Sequence, residues 1–434
     1  MFAYYVSLAM RSFKRDKMLT LLMVVAIGLG IGASMTTLTV FRVLSGDPIP
    51  EKSGMLFHPQ LDPESMEGYS PGEEPQNQLT RFDAEALLRQ KRGDRQAMMT
   101  GGGVSIEPAN SELPPFLVDA RYSTAEIFPM FDMPFLYGNG WDAKDDQAHG
   151  RVVVIAKALN EKLFDGANSV GKSIRMNTTG FRIIGVLDEW RPAPKFYDMN
   201  SANGYGDTEQ VFIPFSTSRD LDMDRNGNMN CWGDSGGDST SVNAPCVWIQ
   251  YWVELGTPEK VAAYRQYLSN YSDQQRAAGR FQRPNNVRLR SIMEWLDFHK
   301  VVPNDVVMQA WLAFGFLLVC LLNTVGLLLA KFMRRSGEIG VRRALGAARR
   351  QIFQQCLVEA GAIGLAGGLL GLGLACLGLW AVQQQPTDYA DLARLDPMML
   401  LLTFAVSIAT SLLAGLLPAW SAMQVAPAMQ LKSQ

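Results

Sequence analysis

The sequence predicts a membrane protein with four transmembrane α-helices and a large α+β extracytoplasmic domain inserted between the first and second helices. Four nearly charge-free stretches are each long enough to cross a hydrocarbon core of ~30 Å at about 1.5 Å per residue. The chain between the first two stretches is polar and rich in proline and glycine. The loop between the second and third stretches is strongly basic, which places it in the cytoplasm by the positive-inside bias.

These signals give the expected boundaries along the 434 residues. In chain order they are an amphipathic cytoplasmic N-terminal helix at 1–17, a first span at 18–43, the exported domain at 44–305, a second span at 306–330, a basic cytoplasmic region at 331–359, a third span at 360–385, a short external loop at 386–397, a fourth span at 398–418 and a cytoplasmic tail at 419–434. The chain carries 40 Lys and Arg against 42 Asp and Glu, so no basic excess indicates nucleic-acid binding.

The first span is predicted to stay in the mature protein. A cleaved signal peptide is the competing interpretation, but the charge-free run 18–41 is longer than the usual apolar region of ~7–15 residues. We therefore expect a signal anchor with its N-terminus in the cytoplasm. Gly28 and Gly32 form a small-xxx-small pair that permits close helix packing.

The exported segment mixes strand and helix patterns without a regular βα repeat, which is typical of α+β domains. Thr80 and Asp83 mark the start of a helix over 81–91. Strands are predicted at 151–156, 181–187, 211–214, 247–253 and 287–289, and further helices at 158–164, 258–268 and 291–299.

The last two spans carry the other packing signal of the membrane part. Gly364, Gly367, Gly368 and Gly371 give two overlapping small-xxx-small steps in the third span and predict a packing face. Two polar residues in or beside the spans, Asn323 and Glu359, are candidates either for function or for a hydrogen bond to a neighbouring helix. The loop 386–397 has more acidic than basic residues, as expected outside the cell.

The basic region 331–359 is the candidate functional site. It carries seven cations, Lys331, Arg334, Arg335, Arg342, Arg343, Arg349 and Arg350. Apolar and basic residues separate at helical spacing as far as residue 350, which predicts a helix through this region, with Gly337 and Gly340 at its entry turn. The alternative is a loop whose arginines only fix the topology.

The run 338–347, EIGVRRALGA, together with Arg335, resembles the signature of the MacB/FtsX-type permeases of ABC transporters. The run 417–422, LPAWSA, is similar to the ending of that family. The stretch from Val152 through 184–186 to 211–214 is similar to the MacB-like periplasmic domain. The resemblance thus extends over most of the chain.

The resemblance implies that the region 331–359 holds a coupling helix that docks on a cytoplasmic ATPase. The docking candidates on this basis are Glu338, Ile339, Gly340, Arg342, Arg343, Leu345 and Gly346, with Ile339 and Leu345 as apolar anchors. It also implies ABC ATPase subunits that carry ATP and Mg, and a second permease that is this chain or a related one. Whether a periplasmic adaptor and an outer-membrane channel are further partners stays open.

The function implied is that of a permease subunit in the bacterial inner membrane. It would couple ATP hydrolysis on a separate ATPase subunit to movements of its periplasmic domain, a mechanism called mechanotransmission, and export a drug, a peptide or a lipid-linked molecule. Two alternatives stay open, an FtsX-like signalling scaffold that activates a periplasmic enzyme, and lipoprotein extraction as in LolC/LolE.

Two motifs suggest enzymes, but their context excludes the chemistry. Residues 166–173 match the P-loop pattern, yet a helix is predicted before them and a strand after them, the reverse of what a phosphate loop needs. Residues 233–237 copy a protease nucleophile motif, but no histidine stands in a matching context. We therefore expect no catalytic residues in this chain.

The metal and disulfide candidates lie in the exported domain. Asp222, Asp224 and Asn226 resemble the first half of a calcium loop but lack the bidentate Glu at its end, so a polar loop is the preferred interpretation. Cys231 and Cys246 are 15 positions apart in an oxidising compartment, which favours a disulfide over a metal site.

Overall fold

The computed structural model describes residues 2–108, 113–199, 204–386, 389–394 and 397–424. It divides into two compact units. The membrane unit comprises Met1–Ser45 and Val302–Gln434, and the exported unit comprises Gly46–Val301. Four helices in the described part of the chain are long and apolar enough to cross a membrane. The predicted fold class, four spans with an α+β domain between the first and second, is confirmed.

The elements are as follows. The helices are α1 Phe2–Arg15, α2 Lys17–Ser45, α3 Arg81–Gln90, α4 Ile127–Met130, α5 Ala143–Gln147, α6 Lys157–Phe164, α7 Phe215–Asp220, α8 Pro258–Ala277, α9 Ile292–Phe298, α10 Asn304–Arg334, α11 Ser336–Ala344, α12 Arg349–Gln383 and α13 Pro397–Met423. The strands are β1 Leu56–Gln60, β2 Leu79–Thr80, β3 Arg95–Glu107, β4 Phe116–Ser123, β5 Phe135–Gly138, β6 Val152–Ala156, β7 Ser173–Met176, β8 Thr179–Leu187, β9 Val211–Pro214, β10 Asn230–Cys231, β11 Cys246–Glu254 and β12 Arg288–Ser291.

The exported unit is built on one mixed sheet with the order β12-β1-β11-β3-β4-β9-β6-β8-β5. Strand β6 runs parallel to β8, and β4 runs parallel to β9, while the other pairs along this order are antiparallel. Val153 and Ile155 belong to one buried cluster, and Val152 and Val154 belong to a second. Because successive side chains of a strand point to opposite faces, both faces of the sheet are covered, and this explains the continuous apolar run.

The strands predicted from the sequence are confirmed as β6, β8, β9, β11 and β12, and the Thr80 cap of α3 accepts a hydrogen bond from the Asp83 backbone N–H. The helix predicted at 258–268 was too short, because α8 continues to Ala277. Strands β3 and β4 were not predicted. A Cβ on Gly102 in β3 would lie 2.3 Å from the Tyr122 ring in β4, so this strand needs glycine where the two approach.

The membrane unit packs its helices through the glycines of α12. A Cβ on Gly367 or Gly371 would lie 2.6 or 3.0 Å from Ile27 or Ile31 of α2. Gly364 and Gly368 instead face α13, where the Ser407 hydroxyl donates to the Gly364 carbonyl at 2.6 Å. The two glycine pairs therefore hold α12 against two different neighbours.

Candidate functional site

The basic region between α10 and α12 is not one continuous helix, so that part of the prediction was wrong. Helix α11 ends in a Schellman motif, in which the Gly346 N–H donates to Arg343 O at 3.1 Å and the Ala347 N–H donates to Arg342 O at 3.0 Å. Gly346 has φ +101°, which an L-residue adopts only with strain. Gly337 and Gly340 lie inside α11 and form no entry turn.

Glu338 lies at the centre of an ionic cluster. Its carboxylate accepts from Arg15 of α1 at 3.0 Å and from Arg342 at 2.9 Å, and Arg335 is 3.4 Å away. Burial alone would raise the pKa of Glu338, but the hydrogen bond from Arg15 and the charge of Arg335 hold it below its usual value. Arg342 also donates to Gln355 of α12 at 2.9 Å, so α11 is fastened to both α1 and α12.

A second carboxylate, Glu359 of α12, is buried within the membrane unit with only 2% of its surface exposed. Lys331 of α10 approaches it at 2.8 Å and Arg335 at 3.0 Å, and the Ser12 hydroxyl of α1 donates to it. Lys331 also donates to the Thr20 hydroxyl of α2 at 3.2 Å. Helices α1, α2, α10 and α12 therefore meet at one buried charge centre.

Arg335 contacts both carboxylates and links the two halves of the site. The charges alternate in sign along the path Lys331, Glu359, Arg335, Glu338 and Arg342. This path runs from the buried end of α10 to the partly exposed surface of α11. We call these residues, with Ser12, Arg15 and Thr20, the ionic network.

The predicted docking residues have different environments. Ile339 is 9% exposed and belongs to the buried core of the membrane unit, and Gly340 is also buried. Ile339 therefore anchors α11 inward and offers little surface to a partner. Leu345 is 83% exposed, and Val341, which the sequence reasoning missed, is 54% exposed. Glu338 and Arg342 are held in the ionic network, whereas Arg343 is partly exposed.

In the exported unit, Cys231 and Cys246 form a disulfide between directly opposed residues of β10 and β11. It closes the loop that contains the protease-like run 233–237. Gly236 and Gly237 in that run have positive φ and belong to an exposed turn.

Two of the three calcium candidates make other contacts, through the Asn226 side chain and the Asp224 backbone. The Asn226 side chain donates to Gly102 O at 3.1 Å, and the Asp224 carbonyl accepts from the Tyr122 hydroxyl at 3.0 Å. Asn226 thereby fastens its loop to β3. Within the described residues, no group of three His, Cys, Asp or Glu side chains is placed to hold a metal.

The P-loop-like run follows α6 and ends at Ser173, the first residue of β7, so a helix precedes it and strands follow it, as the sequence predicted. The Ser169 hydroxyl donates to Asn160 at 2.6 Å, and the Lys172 ammonium lies 4.8 Å from the centre of the Phe164 ring. These contacts fold the turn back on α6. The turn does not open a helix whose N-terminus could meet a phosphate.

Comparison with known families agrees with this architecture. A model described as MacB-like periplasmic core domain matches residues 20–271, and one described as FtsX-like permease C-terminal matches residues 310–427.

Similar proteins were found among both curated sequences and solved structures. The macrolide export ATP-binding/permease protein MacB of Azoarcus sp. (strain BH72) is 25% identical over 304 residues, which cover 69% of this chain and 40% of that protein. The pyoverdine export ATP-binding/permease protein PvdT of Pseudomonas fluorescens is 23% identical over 376 residues, which cover 85% of this chain and 50% of that protein. The crystal structure of the periplasmic region of MacB from Actinobacillus actinomycetemcomitans aligns with a TM-score of 0.36 at 13% identity, over 58% of this chain and 94% of that one.

This chain therefore spans half or less of the length of these two curated relatives. The two family models together match most of both units described above. The chain belongs to the MacB-like and FtsX-like ABC transporter permeases, as a multi-pass inner-membrane protein with a periplasmic α+β domain.

Proposed function

We propose that this chain is the permease subunit of an ABC exporter, and that it carries movement from a cytoplasmic ATPase to its periplasmic domain. The observation that carries the proposal is the two-sided construction of α11. One side is tied to the spans by Ile339, Glu338 and Arg342, and the other side presents Val341 and Leu345 to the cytoplasm. If the ATPase displaces this short helix, the helices packed behind α11 are displaced with it.

Val341 and Leu345 form the apolar centre of the proposed docking surface, because exposed apolar side chains in a basic cytoplasmic region are expected to be covered by a partner. Arg349 and Arg350 follow in the sequence and are exposed at the start of α12. Glu338 has a different proposed role, since its carboxylate is already shared by three arginines of the same chain. It positions α11 for docking.

The ionic network is the proposed route into the membrane. A displacement of α11 reaches α12 through Arg342 and Gln355, and reaches the buried Glu359 through Arg335. From Glu359 it passes to α10 through Lys331. The proposed ATPase binds ATP and Mg. The substrate is moved on the periplasmic side of the membrane. The names of the relatives refer to macrolide and pyoverdine export, which supports an export role for this chain.

The experiment is to purify the tagged full-length chain gently from its native membranes and measure by mass spectrometry the amount of ABC ATPase that accompanies it. We expect an ATPase in a near-equal amount with the wild type and its loss with the double variant Val341→Asp, Leu345→Asp. Leu117→Asp is the matched control, because Leu117 is 80% exposed but belongs to the periplasmic domain. An ATPase that stays bound to the double variant would refute the docking surface.

The same sample tests the FtsX-like scaffold, which the match to the FtsX-like model keeps as a second candidate. A periplasmic hydrolase recovered with the chain, together with an ATPase whose activity no exported compound stimulates, would favour the scaffold. An adaptor and an outer-membrane channel in the sample would favour the exporter.

A further inference from the structure

A cleft of about 1070 Å³ opens on the surface of the periplasmic domain. The described residues of its walls belong mainly to the C-terminal end of α6, to strand β7 and to the end of β3. Small-molecule sites have volumes of ~300–1,000 Å³, so the cleft is large enough for a drug-sized compound. Its residues have no part in ATPase docking or in the ionic network.

The floor of the cleft is apolar. Ile174 of β7 is 5% exposed and belongs to a buried cluster of the domain, and Leu163 and Phe164 of α6 pack against the same cluster. The cleft therefore opens on the edge of the hydrophobic core. A ligand bound here would remove the partly exposed surfaces of these α6 side chains from water, which is favourable.

Two lysines at the cleft have no carboxylate partner among the described residues. The ammonium group of Lys162, which lines the cleft, lies 3.3 Å from the centre of the Phe116 ring. The ammonium group of Lys172 lies 4.8 Å from the centre of the ring of Phe164, a lining residue. Both positive charges are thus placed against aromatic rings beside the apolar floor, where they are attracted by the ring faces.

The other charged residues of the lining leave this excess of positive charge in place. Arg175 and Glu107 neutralise each other in an ion pair of 2.8 Å. Asp165 is exposed at the end of α6 and has no cationic partner in the described part of the chain. One unpaired carboxylate therefore stands against two unpaired ammonium groups, those of Lys162 and Lys172.

We infer that this cleft binds an amphiphilic organic anion. The aromatic or acyl body of the ligand covers the apolar floor, and its carboxylate or sulfonate accepts hydrogen bonds from Lys162 and is attracted by Lys172. Hydrogen bonds between two ionised groups are stronger than neutral ones, so the charge of the ligand decides its affinity. The inference goes beyond the proposed function, because it assigns a ligand to the periplasmic domain and does not depend on the ATPase.

The test uses the full chain in nanodiscs of neutral phosphatidylcholine and two fluorescent probes with the same aromatic ring. Dansylglycine carries a carboxylate, and dansylcadaverine carries an ammonium group. The fluorescence of each probe is titrated with the chain, and the signal from empty nanodiscs is subtracted. We expect saturable binding of dansylglycine and binding of dansylcadaverine that is weaker by about tenfold or more.

Variants at exposed positions show whether the probe binds in this cleft. Lys162→Met removes the ammonium group and should raise the Kd for dansylglycine about tenfold, whereas Lys162→Arg keeps the charge and should retain most of the affinity. Lys144→Met, at an exposed lysine of α5 in the same domain, is the matched control and should bind as the wild type does. Ser173→Trp fills the cleft from β7 and should abolish the binding of dansylglycine. Asp165→Asn removes the opposing carboxylate and should retain or increase the affinity.

Three results would overturn the inference. Dansylglycine that gives no saturable signal above empty nanodiscs would show that the cleft does not bind such anions. Equal affinities of the wild type and both Lys162→Met and Ser173→Trp would place the probe elsewhere on the chain. Tighter binding of dansylcadaverine, lost with Asp165→Asn, would show that the cleft selects cations. The samples contain no ATPase, so each of these results leaves ATPase docking on α11 untouched.

Discussion

Lys331 of α10 and Glu359 of α12 form an ion pair of 2.8 Å in which neither side chain is more than 3% exposed. Burying two charges is costly, and removing one partner leaves the other uncompensated, typically at roughly 3–5 kcal/mol. Nonpolar side chains would hold two helices together as well. What a charged pair adds is a defined register, since Arg335, Ser12 and Thr20 must all find their partners at once.

The first prediction is a double-mutant cycle on this pair. Glu359→Gln and Lys331→Met should each lower the thermal unfolding midpoint of the detergent-solubilised chain. The first leaves the buried Lys331 without a carboxylate, and the second leaves the buried Glu359 with Arg335 as its one remaining ion-pair partner among the described residues. The double variant should lose less than the sum of the two, since the surviving charge is then absent as well. Asp305→Asn, an exposed carboxylate at the other end of α10, is the control. Additive losses would show that the two residues do not act as a pair.

Little of this network could be predicted from the sequence. The basic region and the polarity of Glu359 were visible, but Ser12 and Glu359 are 347 positions apart, and a single sequence carries no signal for so distant a contact. The helical spacing also predicts a helix that continues through Gly346. Nothing in that spacing indicates that α11 ends before this glycine and that the chain turns there. The family resemblance assigned Ile339 to the docking surface, but the bundle behind α11 buries it.

The spans and part of the sheet were predictable because an element that is covered on both sides has a continuous run of apolar residues in the sequence. Strand β6 is a run of apolar residues for this reason. Strand β3 was not predicted because Gly101, Gly102 and Gly103 have low strand propensity and interrupt its pattern, and its partner β4 was missed with it. Their pairing depends on tertiary contacts with Tyr122 and with β11.

The second prediction concerns Glu209 of the periplasmic domain. This buried carboxylate pairs with Arg121 and Lys195 and accepts from the Tyr197 hydroxyl at 2.9 Å. Burial by itself would raise its pKa, but the Arg121 and Lys195 charges outweigh burial and hold the pKa at about 2, below the usual 4.5. A lowered folded pKa stabilises the fold above pH 4.5, and this stabilisation is lost as the pH falls towards 2.

Glu209→Gln should therefore lower the stability of the domain at pH 7 by roughly 3–5 kcal/mol. The difference from the wild type should shrink as the pH falls below 4.5. Unfolding midpoints of the full chain across a pH series, followed by tryptophan fluorescence, measure both effects. Glu189→Gln, which changes an exposed carboxylate of the same domain, is the control. A difference that is constant with pH would mean that the charge of Glu209 is not what stabilises the domain.

The third prediction tests the glycine contacts of α12. Gly367→Ala places a Cβ 2.6 Å from Ile27 of α2 and should destabilise the bundle by roughly 1–3 kcal/mol through overpacking. Gly373→Ala on the same helix meets nothing within 4 Å and should be neutral or gain up to about 1 kcal/mol from helix propensity. Thermal unfolding in detergent compares the two. Equal effects would show that α12 and α2 do not need this close approach.

The last prediction separates backbone shape from side-chain contact at the end of α11. A Cβ at Gly346 meets nothing within 4 Å, so any cost of substitution comes from its φ of +101°. Gly346→Val should be more harmful than Gly346→Asn, because β-branched residues tolerate positive φ least and Asn tolerates it best after glycine. The strain, about 1–2 kcal/mol, should loosen the turn that presents Leu345. We therefore expect the amount of co-purified ATPase to decrease in the order wild type, Gly346→Asn, Gly346→Val.

The control is Gly326→Ala, which lies in regular helix with the same open space and should retain the wild-type amount of ATPase. Equal retention by all the Gly346 variants would mean that ATPase docking does not depend on this turn.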